Sequence, residues 1–131
     1  MYAHACIDEM EIESVKIDQW FDLQNRYLQI THVLKATLSQ FQLQCTEYHA
    51  LYALKQEADQ AMSINQLQDT VGLSQSAMSR LVQRLADKDG GLIRRCKQGQ
   101  DKRTVYVRLT DTGDALLEKA TAAVNHALAD L

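Results

Sequence analysis

The sequence predicts a mainly α-helical fold with one small β-hairpin wing, and three observations carry that reading. Apolar residues recur at helical spacing along most of the chain, and proline is absent, so no helix meets a proline break. A single stretch near the C-terminal end alternates instead: Val105, Val107 and Leu109 interleave with Thr104, Tyr106 and Arg108, the period of a half-buried strand. Serine and threonine caps, together with glycines, punctuate the boundaries between elements.

The first element is a long helix over residues 14–41. Ile17, Trp20, Phe21, Leu23, Leu28, Ile30, Leu34, Leu38 and Phe41 form an apolar band too wide for one core face. Such a helix is expected to be buried on two sides, by its own domain and by a partner subunit. Thr46 is read as the N-cap of a second helix over 47–55, with Leu51 and Leu54 inward. Ser63-Ile-Asn-Gln66 is a capping box that opens a third, short helix, with Met62 and Leu67 as its hydrophobic staple. Gly72 ends that helix at a position suited to a left-handed residue. Ser74 caps a fourth helix running to about Asp87, and Met78, Leu81, Val82 and Leu85 give it one inward stripe. Gly90-Gly91 stops it. Strands over 92–96 and 104–109 flank the polar loop Lys97-Gln-Gly-Gln-Asp-Lys-Arg103. Thr110 caps a last helix toward Leu131. The order is that of a winged helix-turn-helix with long N- and C-terminal helices: one domain over 1–131, with a lobe over 46–109 between helices 14–41 and 110–131.

Bulk composition narrows the function. A chain of 131 residues, 46% hydrophobic and 24% charged, is globular and of single-domain size. No apolar run is long enough for a membrane. The N-terminal stretch carries Asp8, Glu9, Glu11 and Glu13 without a basic residue, unlike a secretory signal. Cys6, Cys45 and Cys96 lie far apart without metal-type spacing, as expected in a reducing cytoplasm. No nucleophile–base pair, metal motif or Gly-rich phosphate loop points to an enzyme or to a cofactor.

The net charge of −3 conceals an asymmetry. Residues 63–108 hold nine Lys and Arg against four acids, a net +5, which leaves −8 on the remainder. Phosphate affinity follows local positive charge, so the segment suits double-stranded DNA and the acidic remainder keeps other faces off it. Ser74, Gln75, Ser76, Ser79, Arg80, Gln83 and Arg84 form the polar side of the fourth helix. Arg pairs with guanine and Gln with adenine in the major groove, and serines fit against phosphates. Arg84 has a second option, turning inward to support the fold. In the wing, Arg103 suits a narrow minor groove. Asp101, two residues earlier, is expected to orient Arg103 rather than to touch DNA. Lys97, Lys102, Arg94 and Arg95 are phosphate candidates, although Arg94 and Arg95 equally suit ion pairs with Asp87 or Asp89.

Three stretches resemble the MarR family of bacterial regulators: Cys45-Thr-Glu-Tyr-His-Ala-Leu-Tyr-Ala-Leu54, Leu73-Ser-Gln-Ser-Ala-Met-Ser-Arg-Leu-Val-Gln-Arg-Leu85, and Asp101-Lys-Arg103 running into Val107-Arg-Leu-Thr-Asp-Thr-Gly113. The resemblance spans about residues 17–125. It implies a homodimer joined through its terminal helices, a pseudo-palindromic operator, and a repressor released by a small molecule, an oxidant or a metal. The C-terminal helix ends earlier here than in many relatives, which affects the details of the dimer contact.

The resemblance also places an effector pocket where the dimerisation helices meet the DNA-binding lobe. Trp20, Tyr27, His32, Tyr48, His49 and Tyr52 are its candidate lining, each equally at home as ordinary core or surface. For redox control, Cys96 lies among Arg94, Arg95 and Lys97, and Cys45 lies just before a helix start, both settings that favour thiolate. Inert packing is the alternative for each. His4, His32, His49 and His126 show no metal spacing, so no metal site is expected. A winged-helix protein-interaction module is the other alternative, and the basic segment argues against it.

Overall fold

The computed structural model describes residues 2–97 and 103–131, with side chains described from Lys16 onward. Its elements are α1 (Tyr2–Ser39), α2 (Cys45–Gln56), β1 (Ala61–Ser63), α3 (Ile64–Val71), α4 (Gln75–Asp87), a 3-10 turn (Lys88–Gly90), β2 (Ile93–Cys96), β3 (Tyr106–Leu109) and α5 (Asp111–Leu128). This is the mainly helical winged fold expected from the sequence.

Helix α1 is longer than its sequence pattern indicates. It begins at Tyr2 rather than at Ser14 and closes at Ser39, and Gln40 to Gln42 turn the chain toward α2. At 38 residues and a rise of 1.5 Å each it extends about 57 Å. Its C-terminal part enters the core through Leu38, while α5 packs alongside. Its middle part stays open: Ile17, Trp20, Phe21, Leu23 and Leu28 are all more than half exposed, Leu23 at 67%. The broad band is thus covered on one end only within a single chain.

The cap of α2 differs from expectation. Gln44, not Thr46, is the N-cap, and Cys45 occupies the first helical position. The Gln44 side chain accepts from the backbone of Glu47, and the Glu47 carboxylate accepts from the Gln44 N–H at 2.9 Å. Thr46 was the better cap by residue type, but the reciprocal pair Gln44 and Glu47 satisfies two terminal donors at once.

The next two helices follow their local signals. Ser63 Oγ accepts from the Gln66 N–H at 3.1 Å, and the Gln66 side chain accepts from the Ser63 N–H at 3.3 Å. Gly72 takes φ of +80° and its N–H closes on the Gln68 carbonyl. Ser74 Oγ accepts from the Ala77 N–H at 3.2 Å. Met78, Leu81, Val82 and Leu85 are buried as the stripe requires, seating α4 on a core that includes Leu51, Leu54, Leu67 and Val107.

The wing is a three-stranded antiparallel sheet of order β1-β3-β2 rather than a bare hairpin. Ala61 pairs with Arg108 and Ser63 with Tyr106, while Ile93 pairs with Leu109 and Cys96 with Tyr106. The paired strands are shorter than the 92–96 and 104–109 of the sequence pattern. Val107 and Leu109 are buried, whereas Val105 lies before β3 and is exposed. The root of the wing is fastened to α5. Thr110 caps that helix through the Gly113 N–H at 3.0 Å, and its hydroxyl donates to the Gly91 carbonyl at 2.7 Å.

Candidate nucleic-acid interface

Helix α4 divides into two halves. In the N-terminal half, Gln75, Ser76, Ser79 and Arg80 are exposed and line one shallow surface groove. Ser74 is committed to capping, yet its hydroxyl still has a proton to donate outward. Arg80 has no ion-pair partner among the described residues.

The C-terminal half is held within the protein. The Gln83 amide donates to Asp87 Oδ2 at 2.8 Å, and its carbonyl accepts from Arg95 Nη2 at 3.3 Å. Both ends of that side chain are therefore occupied, and α4 is linked to β2. Arg84 Nε lies 3.9 Å from Glu47 Oε2, with its side chain 45% exposed. The inward option for Arg84 is thus realised in part.

The basic strand residues separate by face. Arg94 stands opposite Arg108 in the ladder, and both lie on the outer side of the sheet. Like charges facing each other repel, so a phosphate there relieves the repulsion. Arg108 is drawn away by donating to the Asp59 carbonyl at 2.6 Å. Arg95 lies on the α4 side, past the edge of the core, where it meets Gln83. The ion pairs with Asp87 or Asp89 that the sequence allowed for Arg94 and Arg95 do not form among the described residues. Lys97 and Arg103 are exposed at the two ends of the wing loop. Asp101 and Lys102 fall outside the described residues.

No described cleft brings the six aromatic and histidine candidates together. Trp20 and Tyr27 are exposed on α1, where Trp20 packs edge-on against Phe21, and His32 and His49 are exposed. Tyr48 is half-buried, with its hydroxyl 2.7 Å from Thr121 Oγ1. Only Tyr52 of the six reaches a described cleft, of about 390 Å³, between α2 and α5 beside Lys55, Leu117 and Thr121. Close by, the carboxylate of Asp114, paired with Lys55 at 2.9 Å, holds the lysine above its usual pKa. Cys45 and Cys96 are both half-buried free thiols. Cys45 lines a small cleft with Lys35 and Thr46. No cluster of metal-binding side chains occurs among the described residues. Nor is any described helix long and apolar enough to cross a membrane.

Residues 41–104, from within the α1–α2 turn to just before β3, match the sequence model of the MarR family. The lobe that runs from α2 into the wing is thus similar to the MarR family. Known structures with the same fold extend the likeness to the terminal helices. AbsC, a MarR-family transcriptional regulator from Streptomyces coelicolor, superposes with a TM-score of 0.71 at 24% identity, over 86% of this chain and 77% of AbsC. Sco3205, a MarR-family regulator of the same organism solved in complex with DNA, gives 0.72 at 22% identity, over 83% of this chain and 70% of that one. NadR in complex with 4-hydroxyphenylacetate gives 0.71 at 19%, over 81% and 72%. Among curated protein sequences, none matches this chain. Within this lobe, sequence reasoning missed the Gln83–Arg95 and Glu47–Lys88 contacts. They join residues 12 and 41 positions apart, and no local spacing marks them.

Proposed function

We propose that the protein is a homodimeric, sequence-specific DNA-binding transcriptional regulator, a cytoplasmic repressor released by a small-molecule effector. The observation that carries this reading is the N-terminal half of α4: a capped helix, rigidly seated, that leaves Gln75, Ser76, Ser79 and Arg80 open. These side chains can read base edges and phosphates in a major groove. Arg94, Arg95, Lys97, Lys102 and Arg103 supply the adjoining positive charge for the backbone and minor groove. Asp101 orients Arg103.

The uncovered apolar stretch of α1 supports a second copy as partner. Two-fold pairing places two recognition helices about 34 Å apart, one turn of DNA. The DNA complex of Sco3205 and the 4-hydroxyphenylacetate complex of NadR are precedents for both kinds of partner. A completed effector pocket would draw on Trp20, Tyr27, His32, Tyr48, His49 and Tyr52 from two chains. Effector and operator affinities are then reciprocally linked. The second reading is release by oxidation at Cys45 or Cys96, favoured by the position of Cys45 in the first turn of α2 beside Lys35.

The test is selection of bound fragments from random double-stranded DNA, with affinity followed against salt. An enriched inverted repeat and a steep salt slope are expected; no enrichment and no low-salt binding would leave only a protein-interaction module. On the selected site, Arg103→Ala is expected to lower affinity for all sequences alike and to reduce the salt slope by about one per protomer. Unchanged binding removes Arg103 from the interface.

A further inference from the structure

We propose that Glu47 is a positioning residue for the recognition helix, tying the C-terminal end of α4 to the α1–α2 turn through Lys88 and Arg84. The argument starts from a charge that local structure does not require. The capping box of α2 uses one Glu47 oxygen, Oε1. The equivalent box at α3 is completed by a neutral glutamine, Gln66. Glutamine would therefore serve at position 47, where a carboxylate is instead 98% hidden, its side chain only 2% exposed. Burying a charge is unfavourable unless it is paired.

Its partners lie at the end of α4. Glu47 Oε2 makes no hydrogen bond and faces Lys88 Nζ at 3.6 Å and Arg84 Nε at 3.9 Å. Lys88 is the C-cap of α4, and its Nζ also donates to the carbonyl of Gln42. Gln42 holds φ of +58° in the turn that directly follows α1, a left-handed backbone that a non-glycine side chain resists. One lysine thus joins the end of the recognition helix to a strained turn and to a buried carboxylate. Any tilt of α1 against the lobe reaches α4 at this point.

The proposal rests on the DNA-reading function for its consequence: the tie sets the angle of each recognition helix, and so the half-site spacing the dimer accepts. Inserting one base pair turns one half-site by about 35° relative to the other, because a helical turn holds about 10.5 base pairs. A stiff pair of lobes penalises this strongly and a loose pair does not.

The experiment measures affinity of wild type, Glu47→Gln and Lys88→Met for the selected repeat and for repeats one base pair longer and shorter. Glu47→Gln keeps the cap and removes the charge. It is expected to retain wild-type Tm within a few degrees while the spacing penalty drops from about tenfold to about threefold. Lys88→Met is expected to flatten the profile in the same way, and the double variant to add little. A wild-type spacing profile in Glu47→Gln overturns the proposal and leaves Glu47 as a cap alone. Amide exchange of the free proteins is read alongside. Faster exchange at residues 84–88 and 42–44 in Glu47→Gln is expected; unchanged exchange there overturns the tie. If wild type binds no DNA, the functional reading fails, and the exchange result alone judges the tie.

Discussion

Arg80→Ala is expected to weaken operator binding by about 1–3 kcal/mol per half-site, roughly 5- to 150-fold for each α4 helix. Arg80 stands in the open half of α4, beside Gln75, Ser76 and Ser79, and no carboxylate among the described residues competes for its guanidinium. A bidentate contact to guanine is the strongest single reading such a side chain makes. The loss should therefore fall on sequence discrimination. Repeating the DNA selection with the variant should show one base position per half-site relaxed while the others persist. Thermal stability should be unchanged, because the side chain is exposed and supports nothing in the fold. Gln83→Ala is expected to be milder, since both ends of the Gln83 amide are already engaged by Asp87 and Arg95. Equal affinity and unchanged selection in Arg80→Ala would move the reading surface off this half of the helix.

Gly113→Ala is expected to produce the largest stability loss of the alanine substitutions at the described glycines, about 3 kcal/mol and a Tm drop on the order of 10 °C. The cause is a close approach rather than an unusual backbone angle. A Cβ at this position would stand 2.1 Å from the Leu92 carbonyl oxygen and 2.9 Å from Leu109 Cδ1. The first of these is backbone, so no side-chain rotation relieves it. The first turn of α5 would have to lift from the wing root and break the Thr110 bonds to Gly91 and Gly113. Gly72→Ala provides the contrast. It meets nothing within 4 Å, and its cost comes only from holding φ of +80°, about 1–2 kcal/mol. Differential scanning calorimetry of the two variants checks both statements. Equal losses would mean that the approach of α5 to Leu92 relaxes easily.

Several features were legible because they are local. Ser63, Ser74 and Thr110 cap their helices through bonds to the third residue on, so residue type and spacing suffice to read them. Gly72 needed only the end of an apolar pattern. The inward stripe of α4 followed from spacing, and it left the polar face by subtraction. Where two local signals competed the reading failed: Thr46 suits a cap, but the pair formed by Gln44 and Glu47 prevailed. Strand β1 was not legible, because three residues cannot display a period and Ser63 already served as a cap. The start of α1 was missed because 2–14 lacks a clear apolar stripe or a cap, although the backbone there is helical.

By itself the sequence determined the order of helices and wing, the polar face of α4 and the positive segment, since periodicity, caps and charge act over a few residues. The tertiary structure decided which of those polar side chains stay available. It turned Gln83 toward β2, drew Arg84 and Lys88 toward the buried Glu47, and left Gln75, Ser76, Ser79 and Arg80 in the open. It also showed that Gly113 is required by the Leu92 backbone, a contact across 21 positions. These outcomes depend on where distant segments meet, and a buried charge or a close backbone approach takes its energy from neighbours that no local pattern names.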